Sequence, residues 1–294
     1  MTQQHVNFSD PSLVCDTLVS AANKLLDCPT RRGCTHHLGA TGTAWVSGDL
    51  HDNPFNLSKI INLASLDIPT NHVVFQEIIH SADTSEEHDL SYRMLVRVAS
   101  LVLDYPTQVH PILANHELSQ ATKKQITKGG DELVGRFVRG VEHVFGTNSD
   151  KVLSAINTFI YAMPLAVRSS GGLMCCHSLP DENKMNTFDS RILARDLQPV
   201  DLMTSTGSAN MVVWGRMHSE PQYNELAQFW GVTLFCLGHA WVPDGIEIAA
   251  PNVLLLNSDH ENGVVLPIDL SHVCGAKQTI SSAIKLSSVS LNQQ

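Results

Sequence analysis

The chain has 294 residues, 43% of them apolar and 16% charged, the composition of a large folded domain rather than of a disordered segment. Its formal charge of -10, from 19 Lys and Arg against 29 Asp and Glu, excludes an extensive nucleic-acid surface, which needs a clustered excess of cations. Seven Cys lack the close spacing of a disulfide scaffold, no apolar run approaches about 18 residues, and Met1–Asp10 has no basic-then-apolar leader, so a soluble, cytoplasmic protein with reduced thiols is expected.

In chain order, Ser9-Asp10-Pro11 offers a cap and a first-turn proline, and Leu13, Leu18, Ala21, Leu25 and Leu26 recur at helical spacing, predicting a helix over 10–27. The charged, glycine-bearing stretch 28–42 is expected to be a loop. Residues 43–47 (TAWVS) form a short buried strand that runs into Gly48-Asp49-Leu50-His51-Asp52. A helix over 57–66 and an apolar strand over 72–75 (HVVF) follow, the strand ending at Gln76-Glu77. Residues 86–104 carry Leu90, Met94, Leu95, Val98, Leu101 and Val102 on one helical face, and 109–113 (VHPIL) is a strand ending at Asn115-His116-Glu117. The rhythm is βαβ.

Residues 118–145 read as helical with a break at Gly129-Gly130, and 150–163 as a further helix. Beyond Pro164 the texture turns to β-type runs: LAVRS (165–169), LMCC (173–176), MVVW (211–214), VTLFCL (232–237), IEIAA (246–250), VLLLN (253–257) and VVLPIDL (264–270). A short helix over 224–230 interrupts them, and a serine-rich tail starts near 277. Cys175 and Cys176, adjacent on a strand, should point to opposite faces as plain buried thiols. No linker or repeat divides the chain, so one domain over 1–294 is expected, with its core at about 43–270.

Metal-ligand residue types gather at strand ends. Asp49 and His51 follow TAWVS, Glu77 follows HVVF, Asn115-His116-Glu117 follow VHPIL, His177 follows LMCC and His239 follows VTLFCLG. Each cluster alone is short enough to arise by chance; the ordered set is not. In these residues the sequence resembles the calcineurin-like metallophosphoesterase superfamily, and most closely the phosphoprotein-phosphatase family of Ser/Thr phosphatases. Gly48-Asp49-Leu50-His51-Asp52 resembles that family's GDxHG, Asn115-His116-Glu117 its GNHE, Cys175–Leu179 its strand ending in HGG, and Gly238-His239 its late histidine. Residues 245–270 resemble its closing β-hairpins.

The resemblance implies an α/β fold, a four-layer αββα sandwich of two mixed sheets flanked by helices. It implies one divalent ion held by Asp49, His51 and Glu77, and a second held by Glu77, Asn115, His177 and His239, with Glu77 bridging. Carboxylate, imidazole and amide ligands suit Mn, Fe or Zn. A hydroxide shared by two such ions forms near neutral pH and would attack phosphorus, with His116 protonating the leaving oxygen as general acid. A phosphomonoester on a protein, a nucleotide or a small metabolite is then the expected substrate, with no membrane and no nucleic-acid partner.

Departures cluster in one segment. Where the family has GDxVDRG, this chain has Gln76-Glu77-Ile78-Ile79-His80-Ser81-Ala82, so the bridging Asp becomes Glu77, the Asp that orients the general acid becomes His80, and the phosphate-gripping Arg becomes Ser81. Arg216 is the preferred replacement cation, with Arg168 and Arg191 behind it. Three roles are open to His80: donating to phosphate, orienting His116, or capping the strand end. Glu117 is expected behind the ligands, holding a ligand histidine through its other ring nitrogen. His218 and His260 are lesser candidates for touching substrate, and the remaining histidines, His36, His72 and His110 among them, are read as packing or surface residues. The same departures motivate an alternative from another class, a degenerate metal-binding scaffold that acts through protein contacts.

Overall fold

The computed structural model describes residues 7–83, 85–124, 126–128 and 131–291. The chain opens with α1 (Pro11–Leu26), whose N-cap Asp10 accepts the Ser12 and Leu13 N–H groups and whose first residue is Pro11. Next come β1 (Arg31–Arg32), β2 (Thr35–Leu38), β3 (Thr43–Asp49), α2 (Pro54–Ala64), β4 (His72–Gln76), α3 (Tyr92–Asp104), β5 (Val109–Pro111) and α4 (Asn115–Thr122). A small hairpin of β6 (Thr127–Lys128) and β7 (Asp131–Glu132) leads into α5 (Leu133–Phe145) and α6 (Ser149–Ala162). The second half holds β8 (Ala166–Ser169), β9 (Leu173–Cys176), α7 (Ser208–Trp214), α8 (Glu220–Trp230) and β10 (Leu234–Leu237). It closes with β11 (Ile246–Ala250), β12 (Val253–Leu256), β13 (Val264–Asp269), α9 (Ala276–Thr279) and β14 (Ile284–Lys285).

These strands form two mixed sheets, ordered β14-β13-β3-β4-β5 and β1-β2-β8-β9-β10-β12-β11. β3, β4 and β5 are parallel, as are β9, β10 and β12, so the ligand-bearing ends within each sheet lie at one edge. Alternation sorts the side chains. Ala44, Val46, Val74, Cys175, Cys236, Leu254 and Leu266 pack between the sheets, whereas Val73, Phe75, Cys176 and Phe235 join the larger core under the helices. Cys175 and Cys176 thus fall into different cores, and all seven cysteines are free. The α/β sandwich expected from the motifs is the observed fold.

The two sheets meet at the functional edge. Asp49 bridges Asn257 in parallel, Gly48 N–H donates to Ser258 Oγ at 2.9 Å, and Ser258 N–H donates to the Asp49 carbonyl at 3.0 Å. A Cβ at Gly48 would collide with the Leu256 backbone, so only glycine lets β3 approach β12 here.

Several expected elements differ. The stretch 28–42 is not all loop: β1 and β2 lie in it, with β2 parallel to β8. MVVW is not a strand but the end of α7; every residue from Ser208 to Val213 is buried, so no amphipathic period distinguishes helix from strand there. The helix expected from 86 starts at Tyr92, because the Asp89 side chain accepts the Ser91 N–H at 2.8 Å and turns the chain first. The helical region expected over 118–145 divides into α4 and α5 around the hairpin, and its break at Gly129-Gly130 lies outside the described residues. Among the described residues no helix is long and apolar enough to cross a membrane.

Candidate metal centre

The loops that leave β3 and β4 run side by side. Leu50 and His51 N–H groups donate to the Glu77 carbonyl at 3.0 and 2.9 Å, and Asp52 N–H to the Ile78 carbonyl at 2.9 Å. Holding them so close forces left-handed backbone on ordinary residues: φ is 41° at His51, 59° at Asp52, 40° at Glu77 and 62° at His80, and His239 in the second sheet has 65°. Each such residue costs on the order of 1 kcal/mol or more, and such strain gathers where function over-determines the geometry.

Glu77 is the centre of the arrangement and is 2% exposed. Its Oε1 lies 3.0 Å from His116 Nε2 and 3.5 Å from His51 Nε2. Its Oε2 lies 2.9 Å from His177 Nε2, and Asn115 Oδ1 lies 2.6 Å from the same nitrogen and 2.9 Å from His239 Nδ1. One carboxylate therefore serves two ligand groups, His51-Glu77-His116 and Glu77-His177-His239, and each group's donor atoms fit around a single ion. Burial raises the Glu77 carboxyl, but the positive charge available on His116, His51 and His177 outweighs it and holds the carboxyl well below its ordinary range.

Asp49 sits on the side of the second group. Both its carboxylate oxygens accept the His239 N–H, at 3.1 and 3.0 Å, and Oδ1 lies 3.6 Å from His177 Nδ1. Burial, and then the Glu77 carboxylate, push its own carboxyl well above the usual range. A Cβ at Gly238 would strike Asp49 Oδ1, Gln76 Oε1 and His177 Nδ1, so the turn before His239 has room for glycine only.

The donor set fits a metal. His177 Nε2 carries at most one proton yet faces two oxygens within hydrogen-bond reach, and Gln76 Oε1, His177 Nδ1 and His239 Nε2 are buried without a hydrogen-bond partner. Two carboxylates and four imidazoles converging in this way form a donor set that a divalent cation would satisfy.

The surrounding residues complete the picture. His51 Nδ1–H donates to the His80 carbonyl at 3.1 Å, which turns Nε2 toward Glu77. Glu117, expected to hold a ligand histidine, instead accepts the Ile78 and Ile79 N–H groups on Oε1 at 2.7 and 3.1 Å and so braces the Glu77 loop. Burial, then the Glu77 charge, push its carboxyl up to about 7. The His80 ring touches His116, Nδ1 to Nδ1 at 3.1 Å, and Gln120 Oε1 lies 3.1 Å from its Nε2; burial, then His116, lower its pKa to about 3.

Arg216 is exposed, donates to the His239 carbonyl at 3.0 Å and shares with His218 and His239 a cavity of about 180 Å³. His218 Nε2–H donates to the Leu179 carbonyl at 2.9 Å. Arg168 is engaged elsewhere, on the Trp230 carbonyl at 2.7 Å, and Ser81 Oγ accepts the nearby Asp83 N–H at 3.3 Å. Sequence reasoning missed Gln120 and Gln76; Gln76 Nε2–H donates to the Ser47 carbonyl at 2.9 Å, and the only signal for either is its place beside a motif.

No protein-family model matches the sequence, and no curated protein does. Solved structures do match. A protein serine/threonine phosphatase from Saccharomyces cerevisiae with similarity to human phosphatase PP5 superposes with a TM-score of 0.65 over 88% of this chain and 83% of its own, at 11% identity. A cold-active protein-tyrosine phosphatase of a psychrophilic Shewanella species gives 0.58 over 85% and 80%, at 13% identity. The chain shares the fold of these two phosphatases.

Proposed function

We propose that this chain is a metal-dependent phosphoric ester hydrolase that takes a phosphomonoester. The observation that carries the proposal is the Glu77 carboxylate divided between two ligand groups at the ends of parallel strands, on a sandwich shared with phosphatases. Asn115, His177, His239 and one Glu77 oxygen would hold one divalent ion, with Asp49 beside His177 and His239, and His51 and the other Glu77 oxygen would contribute to a second, with manganese, iron or zinc suited to the donors. When bound, such ions supply a lowered pKa for water and positive charge against the phosphoryl oxygens.

The chain's own residues supply the rest. Water delivers the oxygen that joins phosphorus as the P–O bond to the leaving group breaks, and His116 Nε2 gives its proton to the departing oxygen. Arg216, on the wall of the cavity beside His239, offers a planar pair of donors to the phosphoryl oxygens.

The test is metal analysis of the purified protein together with turnover of an aryl phosphate in the presence of Mn, alongside Asn115→Ala. Turnover that needs metal and collapses in the variant is the expected result. Protein that holds no metal after loading overturns the proposal. The missing arginine at Ser81 favours one second reading, a metal-binding scaffold without turnover. Two bound metals and no hydrolysis of any monoester or diester would select that reading instead.

A further inference from the structure

The contact between His80 and His116 is unusual because both partners present Nδ1, so one ring must donate and the other accept. The far end of the pair decides which. His80 Nε2 faces Gln120 Oε1 at 3.1 Å, and with the amide oxygen assigned to that side it can only accept, so His80 carries its proton on Nε2. His80 Nδ1 is then a lone pair and accepts from His116 Nδ1–H. We infer that Gln120 and His80 form a neutral positioning relay that accepts from His116 Nδ1–H and holds its ring, so that the second proton, the one His116 gives up as general acid, sits on Nε2 and faces the leaving oxygen.

The setting supports such a relay. His80, Gln120 and His116 are 1%, 4% and 7% exposed, so water does not compete for these bonds. Phe137 packs edge-on against the His80 ring at 5.7 Å, and Ser91 Oγ accepts the His80 N–H at 3.0 Å. The left-handed backbone at His80 lets one residue do two jobs, its carbonyl holding His51 and its ring holding His116. The inference rests on the phosphatase reading, in which His116 protonates the leaving group.

Leaving groups separate a positioning role from a merely structural one. An aryl phosphate departs without protonation, whereas an alkyl phosphate needs it. In metal-loaded protein, His80→Ala is expected to lower kcat on an alkyl phosphate about 100-fold, within the usual range for acid catalysis, with a much smaller loss on the aryl ester and little change in KM. His80→Asn should restore most of the alkyl rate, because its Oδ1 occupies the place of Nδ1 and accepts the same hydrogen bond. Equal losses on both esters, no loss on either, or an Asn variant as impaired as Ala overturns the relay. Loss of the phosphatase reading shows separately, as absence of metal-dependent turnover in the unaltered protein. The tautomer is readable without turnover: in 15N-histidine-labelled protein His80 is expected as the Nε2–H form, and the Nδ1–H form overturns the relay.

Discussion

Outside the candidate metal centre, three histidines form a chain that makes stability depend on pH. His36 Nε2–H donates to the Leu25 carbonyl at 3.2 Å, so His36 Nδ1 accepts from His110 Nδ1–H at 3.0 Å, and His110 Nε2 faces His72 Nδ1 at 3.3 Å. Burial, then Arg31, lower the His36 pKa from 6.5 to about 4, and burial followed by its two histidine neighbours holds His110 well below its ordinary range. Between those values the unfolded chain binds a proton that the folded chain refuses, so stability is full above pH 6.5 and falls as pH drops toward 4. For His36 alone the loss is about 2 kcal/mol at pH 5 and about 3 kcal/mol at pH 4. His36→Gln keeps the bonds, with amide N–H for Nε2–H and amide oxygen for Nδ1, but has no proton to take up. Urea unfolding of metal-free protein at a series of pH values should give curves that diverge by about 3 kcal/mol between pH 7.5 and pH 4, the variant resisting acid. Parallel curves would refute the reasoning, because every other titrating group is common to both proteins.

Two further changes act on the site. Gly238→Ala places a methyl group against Asp49, Gln76 and His177 and should cost about 1–3 kcal/mol while lowering bound metal per chain; unchanged metal content on calorimetric titration would count against the crowded turn. Glu117→Ala strands two buried N–H groups, those of Ile78 and Ile79, and should lower stability by roughly 2–5 kcal/mol in urea, whereas Glu117→Gln keeps an acceptor and should lose far less. If the two Glu117 variants prove equally stable, the carboxylate is not what braces the loop.

Strands that were legible in the sequence are those that bury apolar residues on both faces, because an unbroken apolar run then ends sharply at a polar motif. TAWVS, HVVF and LMCC are of this kind, and their ends are where the ligand types gather. β2 was not legible because its sequence, THHL, shows no apolar run: His36 is fully buried by tertiary approach, in contact with His110 from the other sheet. α7 failed for the opposite reason, since burial on all sides erases the period that separates helix from strand.

The site divides along the same line. The resemblance implied Glu77, Asn115, His177 and His239 as one set, and their side chains do meet, because each follows a strand and parallel strands bring their ends to one edge. What no motif encodes is how a carboxylate shares its two oxygens, or which neighbour a second carboxylate meets. Asp49, expected beside His51, turns both oxygens to the His239 N–H because Gly238 lets that backbone come close. Glu117 faces the Ile78 and Ile79 amides because α4 begins at Asn115 and places its first turn under the left-handed bend at Glu77. His80, which stands where the resemblance led one to expect an acidic residue, has a partner 40 residues away in sequence: Gln120 lies on α4, one turn beyond His116, and so on the same helix face. A histidine whose outer nitrogen is held by that amide can accept from His116 as a carboxylate would, but without its charge, so what the chain gave up at this position is charge rather than a hydrogen-bond acceptor.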